Sequence, residues 1–244
     1  MRAVLLDFDG TLADSSPGIY WSFLTAASNC GLISPSFEEL RSAIGPPVGD
    51  LFDKFYAYLQ TDREDIRGCF ITHFRSHYDY TGFLQLHWHK NVELLFTWLR
   101  DQDIDVAVVT NKPTEPTRAL LRTRGFDQDI SAIVGIDSLA HQGLPAFSSK
   151  TDAIIHACGL IGCPMDKSLY VGDTLSDKTA SKEAGSHFLA ATYGFHSWSE
   201  NDLSDTLNAA TIEELLDHLE RLILPMQQRR NTAIATQNLY KLKT

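Results

Sequence analysis

Two aspartates near the start of the chain are the residues best suited to chemistry. Asp7 and Asp9 follow the apolar run AVLL, stand one residue apart, and are followed at once by Gly10 and Thr11. Two carboxylates on the same side of an extended backbone repel each other unless a cation or a proton lies between them. The pair therefore indicates a site that uses negative charge, rather than a simple turn.

Polar side chains also follow apolar runs later in the chain. Thr110 and Asn111 follow VAVV, and Asp173 follows LYVG. Asp177 comes four residues further on, at the predicted start of a helix, and Lys150 stands at the predicted start of another. Ligands of open α/β sheets bind at the carboxyl ends of the strands, so we expect all these groups to meet the first two aspartates there.

The donor types in this set predict a phosphate site built on a magnesium ion. Crowded carboxylates need a shared cation, and ligands that are all oxygen favour Mg²⁺ over zinc. Lys150 would then pair with a carboxylate and with an incoming phosphate. Thr110 and Asn111 offer a hydroxyl and an amide to phosphate oxygens, and Gly10 leaves backbone N–H groups open to an anion.

The elements that would position these residues can be read from the apolar runs. Runs at 3–6, 106–109, 132–134, 169–171 and 187–192 predict strands that are buried on both faces, as in a parallel sheet. Helix-like stretches lie between them, and several end on a glycine. The alternation predicts an α/β fold, a Rossmann-like doubly wound parallel sheet.

The interval 14–86 breaks this alternation, because it contains four helix-like segments and no convincing buried strand. One segment opens with a capping box, Ser36 to Glu39. We predict a core of residues 1–13 and 87–224, a helical cap of residues 14–86, and a flexible basic tail of residues 225–244. The aromatic residues expected mostly to form the core of the cap are Trp21, Phe23, Phe52, Phe55, Tyr56 and Tyr58.

Four motifs in the right order carry a resemblance to a known family. DFDGTLADS, VVTNK, Lys150 and VGDTLSD resemble the motifs of the haloacid dehalogenase superfamily in its phosphatase form. The helical insertion is similar to the C1-type cap of that superfamily, and LRSAIGPPVGDLF and VVTNKP bring the chain closest to the phosphoglycolate-phosphatase-like branch. The resemblance covers residues 1 to about 224. The chain departs from it at Thr151, where relatives have proline, and at HWHKNV, where relatives have YPGV.

The resemblance implies a role for each motif residue. Asp7 would be the nucleophile that forms an aspartyl-phosphate, and Asp9 the general acid toward the leaving alcohol and then the base that activates water. Asp7, the backbone carbonyl of Asp9 and Asp173 would hold Mg²⁺, with Asp177 behind them. The groups that would bind the phosphoryl group are Thr110 and Lys150, with Lys112 as a competitor for the role of the lysine.

These roles predict a magnesium-dependent phosphatase that acts on a small phosphomonoester, either phosphoglycolate-like or a phosphosugar. The dehalogenases of the superfamily have no acid at the position of Asp9, so Asp9 favours phosphate chemistry over carbon–halogen cleavage. Two alternatives stay open: a phosphosugar mutase of the same fold, similar to β-phosphoglucomutase, and a non-catalytic binding module. Arg41 and Arg75 are candidates for gripping a distal anionic group of the substrate.

Composition narrows the range of partners. A formal charge of −10 over 244 residues argues against nucleic acid and anionic lipid, and the resemblance implies a small phosphorylated metabolite as the partner. No apolar run approaches the roughly 18 residues of a membrane span, so we expect a cytoplasmic protein. We expect it to be a monomer or a homodimer. The four cysteines show no metal-binding spacing and are expected to be free buried thiols in a reducing compartment.

Overall fold

The computed structural model describes residues 1–60, 62–139 and 146–223, so the predicted basic tail lies outside the described residues. Six parallel strands form the main sheet, in the order β5-β4-β1-β6-β7-β8. Their bounds are β1 Ala3–Leu6, β4 Asp105–Val109, β5 Ala132–Val134, β6 Ser168–Gly172, β7 His187–Ala191 and β8 Leu207–Ala209. The predicted parallel α/β sheet is confirmed. We did not predict β8, whose first two residues are exposed and give no apolar run.

The register of the sheet places the carboxyl ends of three strands side by side. Strand β1 lies in the middle, with Leu6 opposite Val108 of β4 and opposite Val171 of β6. All three strands run in the same direction, so the residues that follow them emerge at one edge of the sheet. This edge is where the polar residues of the motifs lie.

Helices cover both faces of the sheet, which explains why its strands read as continuous apolar runs. The helices that connect the strands are α5 Val92–Asp101, α6 Thr114–Thr123, α7 Lys150–Leu160, α8 Leu175–Ala184 and α9 Glu200–Leu203, and a further helix, α10, residues 212–223, follows β8. Because side chains alternate along a strand, Val4 and Leu6 join the hydrophobic cluster on one face, and Ala3 and Leu5 join the cluster on the other. Gly185 ends α8 with a positive φ of 80°, as its sequence position predicts.

The interval between β1 and α5 contains four helices, α1 Ser16–Asn29, α2 Phe37–Arg41, α3 Val48–Phe55 and α4 Arg63–Tyr78. They have a hydrophobic cluster of their own, in which the rings of Phe23 and Phe70 lie 4.7 Å apart and those of Phe52 and Phe70 lie 5.2 Å apart. The capping box of Ser36 and Glu39 begins α2, as predicted. We refer to these four helices as the helical insertion.

Most of the aromatic residues predicted for the insertion core are buried there, with two exceptions. Phe23, Phe52 and Tyr56 are fully buried, and Phe55 packs against them. The prediction is wrong for Trp21 and Tyr58, which are 51% and 61% exposed. Helical spacing alone did not separate the inward face from the outward one.

A short two-stranded sheet lies where the chain enters and leaves the insertion. Strand β2, Ala13–Asp14, pairs antiparallel with β3, His87–Trp88, so that Ala13 lies opposite Trp88. The Trp88 ring packs edge-on against Phe8, 5.5 Å between centroids. The two segments that connect the sheet to the insertion are therefore adjacent, and they pack against the residues that follow β1.

The cysteines correct one of our expectations. Cys158 and Cys163 are buried as predicted, but Cys30 is only half-buried and Cys69 is exposed.

We also find that, across the described ranges, every helix is too short or too polar to cross a bilayer.

Candidate active site

The predicted carboxylates meet at the carboxyl edge of the sheet. Asp7 directly follows β1, and its N–H donates to the carbonyl of Val171 at 2.9 Å. Asp173 directly follows β6, and Asp177 lies in the first turn of α8. One carboxylate oxygen from each of the three aspartates lies within 4.8 Å of the others, and all three residues are buried.

Asp173 is held in a tight position that leaves one oxygen available. The backbone N–H of Phe195 donates to its Oδ2 at 2.7 Å, and a Cβ added at Gly10 or Gly194 would overlap the carboxylate. Its Oδ1 is buried and has no hydrogen-bond partner among the described residues. Burial, with repulsion from Asp177 and Asp7, raises the pKa of Asp173 well above its ordinary value. A divalent cation would satisfy this oxygen and remove the repulsion.

The carboxylate of Asp177 is already occupied. Its Oδ2 accepts from the backbone N–H of Thr174 at 3.0 Å and from the Thr174 hydroxyl at 2.6 Å, which completes a capping box at the start of α8. Its Oδ1 accepts from the ammonium of Lys150 and from the hydroxyl of Tyr170, the latter at 3.4 Å. Asp177 therefore orients Lys150 and has little capacity left for an ion.

Lys150 reaches the carboxylates from the first turn of α7. Its Nζ lies 3.0 Å from Oδ1 of Asp7 and also contacts Asp177. Burial lowers the pKa of Lys150, but the attraction of Asp177 and Asp7 outweighs it and raises that pKa well above its ordinary value. Burial raises the pKa of Asp7 to about 7, although Lys150 opposes this shift. The ammonium of Lys150 contacts two of the three buried carboxylates, and the excess of negative charge suits a divalent cation.

A second lysine forms an ion pair with Asp9. The Nζ of Lys112 lies 2.8 Å and 3.1 Å from the two carboxylate oxygens of Asp9, and it also contacts the hydroxyl of Tyr78, the last residue of α4. Burial lowers the pKa of Lys112, but Asp9 and Tyr78 outweigh it and raise that pKa. Lys112, named above as a competitor of Lys150, thus has a different carboxylate as its partner.

Thr110 and Asn111 follow β4 but face different neighbours. The Thr110 hydroxyl accepts from the backbone N–H of Lys112 at 3.2 Å, beside the aspartates. The amide nitrogen of Asn111 donates to the carbonyl of Gly45 in the insertion, at 2.7 Å. The structure therefore gives the Asn111 amide nitrogen a partner other than the predicted phosphate, and Asn111 joins sheet to insertion.

A cavity opens between the aspartates and the insertion. Its floor includes Asp7, Asp9, Thr110 and Lys112. Its lining from the insertion is mostly apolar and comprises Ile19, Ile44, Gly45, Pro46, Pro47, Val48, Leu51, Phe74, Arg75 and Tyr78.

The two arginines proposed to grip a distal anion differ in their positions. Arg75 lines the cavity and pairs with Asp79 at 3.7 Å, whereas Arg41 pairs with Asp14 at 3.5 Å and stacks over the ring of Phe195 at 5.1 Å. The structure keeps Arg75 as a candidate and gives Arg41 other partners.

Sequence reasoning missed several residues of this site. Tyr170 lies in β6, where its hydroxyl donates to the Val109 carbonyl at 2.9 Å and contacts Asp177. A tyrosine within a buried strand needs a hydrogen-bond partner for its hydroxyl, and this feature of the sequence could have identified it. His89 hydrogen-bonds through Nε2 to the Gly10 carbonyl at 3.1 Å. Tyr78 gave no local signal, because its role depends on how α4 lies over the sheet.

Comparison with known proteins agrees with this geometry. Residues 4–191 match the family model of haloacid dehalogenase-like hydrolases. A phosphoglycolate phosphatase of Xanthomonas campestris pv. campestris is 27% identical over 203 residues, which cover 83% of this chain and 88% of that protein. The tyrosine-protein kinase PtkA of Mycobacterium tuberculosis is 27% identical over 221 residues, 89% of this chain and 72% of that protein. The crystal structure of a predicted phosphatase from Clostridium acetobutylicum matches with a TM-score of 0.79 at 25% identity, covering 90% of this chain and 98% of that chain.

The chain belongs to the haloacid dehalogenase-like hydrolase family. The resemblance drawn from its four motifs is thereby confirmed. The prediction of a hydrolase of the phosphatase type is confirmed by this membership together with the phosphatase relatives.

Proposed function

We propose that the chain is a magnesium-dependent phosphatase that hydrolyses a small phosphomonoester through an aspartyl-phosphate on Asp7. The observation that carries the proposal is the buried group of Asp7, Asp173 and Asp177, in which the ammonium of Lys150 contacts Asp7 and Asp177. Within this group Asp173 has an oxygen without a hydrogen-bond partner among the described residues. An arrangement of this kind is costly to bury unless a cation offsets its negative charge.

The metal would be held by the side chains of Asp7 and Asp173 and by the backbone carbonyl of Asp9. Asp177 would keep Lys150 in place, since both of its oxygens already accept hydrogen bonds. When bound, Mg²⁺ neutralises charge on the phosphoryl oxygens and so permits an anionic nucleophile to approach.

The protein residues would then carry out two steps. In the first, an Asp7 oxygen attacks phosphorus, the bond to the alcohol oxygen breaks, and Asp9 gives that oxygen a proton. In the second, Asp9 takes a proton from water, the water oxygen attacks phosphorus, and the bond to Asp7 breaks. Lys150 and Thr110 would bind the phosphoryl oxygens as charge shifts between them. Lys112 would fix the carboxylate of Asp9 at the leaving group.

The insertion would act as the cap, with residues 14–86 closing over a core of residues 1–13 and 87–224. Two polar contacts already join the parts, Asn111 to Gly45 and Lys112 to Tyr78. Closure would exclude bulk water and limit the size of the alcohol that leaves. The similarity to a phosphoglycolate phosphatase supports a phosphoglycolate-like substrate or a phosphosugar as the class to test first.

The test is release of inorganic phosphate from a panel of phosphoglycolate, hexose phosphates, nucleotides and pyrophosphate. We expect release with Mg²⁺, none with excess chelator, and none from Asp7→Asn. Isomerisation of a hexose 1-phosphate without release would favour the mutase instead. Absence of turnover across the panel, together with retained binding of a phosphorylated compound, would favour the non-catalytic module.

A further inference from the structure

Two cysteines of the helical insertion face each other across neighbouring helices. Cys30 directly follows the last residue of α1, and Cys69 lies within α4. The Cys30 thiol donates to the sulfur of Cys69, with 3.0 Å between the two sulfur atoms. Cys158 and Cys163 belong instead to a hydrophobic cluster of the sheet.

The helices hold this pair by contacts that do not involve sulfur. The hydroxyl of Ser22 on α1 and Nδ1 of His77 on α4 lie 2.9 Å apart. Ser22 precedes Cys30 by eight residues and His77 follows Cys69 by eight, so the two contacts lie at opposite ends of one antiparallel interface. Between them, the rings of Phe23 and Phe70 pack at 4.7 Å. The sulfur atoms are therefore brought together by the packing of α1 on α4.

The two thiols differ in their access to solvent. Cys69 is exposed, whereas Cys30 is half-buried and packs against the insertion core. Burial, with the neighbouring Cys69 thiol, raises the pKa of Cys30 to about 12. A reagent in solution thus reaches Cys69 first and leaves Cys30 as a reduced thiol beside it.

We propose that Cys30 and Cys69 form a reversible oxidation site that accepts a small-molecule disulfide, of which oxidised glutathione is the example. The Cys69 thiolate attacks one sulfur of glutathione disulfide, which breaks that S–S bond and releases one glutathione thiolate. Cys30 then loses its proton, attacks the Cys69 sulfur and releases the second glutathione. Two protein thiols are oxidised to one disulfide, and one glutathione disulfide is reduced to two thiols, which take up the two protons.

The geometry needs little movement for this step. A disulfide has an S–S bond of about 2.05 Å, so the two sulfur atoms would approach by about 1 Å from their present 3.0 Å. The bond would tie α1 to α4, the helix that carries Arg75 and Tyr78 toward the cavity. The proposal does not depend on the reaction that the chain catalyses.

The test counts thiols in the full chain after incubation with oxidised glutathione near pH 8, by alkylation under denaturing conditions and mass spectrometry. The reduced chain has four cysteines and takes four alkyl groups. We expect a loss of two of these groups, a cross-linked peptide that contains Cys30 and Cys69, and return to four after reduction. A Cys158→Ser/Cys163→Ser variant should form the same cross-link, and Cys69→Ser, a change at an exposed position, should not.

Three results would overturn the proposal. One is a glutathione adduct on Cys69 that persists without a cross-link to Cys30. Another is a disulfide between Cys158 and Cys163 in place of the expected one. The third is a disulfide between two copies of the chain, seen as a dimer under non-reducing conditions.

Discussion

Lys112 places its ammonium 2.8 Å from Oδ1 of Asp9, although the two residues are 103 positions apart in the chain. Two residues before Asp9, Asp7 has Lys150 as its partner at 3.0 Å. Each of the two aspartates of the first motif therefore forms an ion pair with a different lysine. One lysine follows the end of β4, and the other lies at the start of α7. The two acids to which we assign different roles, nucleophile and proton donor, therefore differ in the cation that each contacts.

Replacing Tyr78 tests whether its contact with Lys112 matters for catalysis. Tyr78→Phe removes only the hydroxyl that Lys112 contacts, and we expect kcat/KM to fall about tenfold, or ~1.4 kcal/mol. Tyr56→Phe is a matched control, since Tyr56 is also buried in the insertion but its hydroxyl donates to the Ile33 carbonyl at 3.2 Å. Both variants should lose about 1 kcal/mol of unfolding free energy. Equal kinetics for the two variants would show that Tyr78 is merely structural.

Replacing Lys112 itself should have a larger effect. Lys112→Met leaves the Asp9 carboxylate without its cation, so the proposed proton donor would no longer be fixed at the leaving group. We expect kcat to fall by roughly two orders of magnitude, the scale of a misplaced catalytic group. Steady-state kinetics on the best substrate of the panel would measure it, with a thermal melt to show that the variant is folded. A kcat within twofold of the parent would contradict the role given to Lys112.

Asp7→Asn should abolish turnover and leave the fold intact, because it removes the proposed nucleophile without adding a buried charge. Phosphate release gives the rate, and circular dichroism gives the fold. Acid-stable labelling of the protein by a radioactive substrate should disappear in the same variant. Turnover near the normal rate would exclude a covalent intermediate on Asp7.

Asp9→Asn should slow turnover by roughly two to four orders of magnitude, which is the usual contribution of a general acid or base. The loss should be smaller with a substrate whose leaving group needs no proton, such as p-nitrophenyl phosphate. Comparing the two substrates separates proton transfer from a general loss of binding. An equal loss on both would argue against Asp9 as the proton donor.

Magnesium should stabilise the chain more at pH 8 than at pH 5.5. Burial raises the pKa of Asp7 to about 7 and that of Asp173 well above its ordinary value, so the metal-free site favours protonated acids. The stability that these acids contribute when protonated is lost as pH rises through the raised values, and Mg²⁺ binds only the deprotonated forms. Thermal melts with Mg²⁺ and with chelator measure the difference. Asp173→Asn should show little shift at either pH.

The sequence predicted those parts of the fold that depend on local burial. The five predicted strands read as apolar runs because both faces of the sheet are covered, whereas β8 carries two exposed residues and was missed. The sequence also predicted that Asp7 and Asp173 lie close together, because each follows a strand and the carboxyl ends of parallel strands meet at one edge of the sheet. The pairing of Lys112 with Asp9 and Tyr78 was not found, because it depends on how α4 lies over the end of β4 and on no local pattern.

Pairing of Ala13 with Trp88 has a consequence for how such a chain can change. The polypeptide leaves the sheet and comes back at neighbouring points, so the intervening helices could be lengthened, shortened or grafted from a relative with only two splice points to match. Substrate preference could then change with the inserted helices, while the acids proposed to act on phosphorus keep the positions that the sheet gives them.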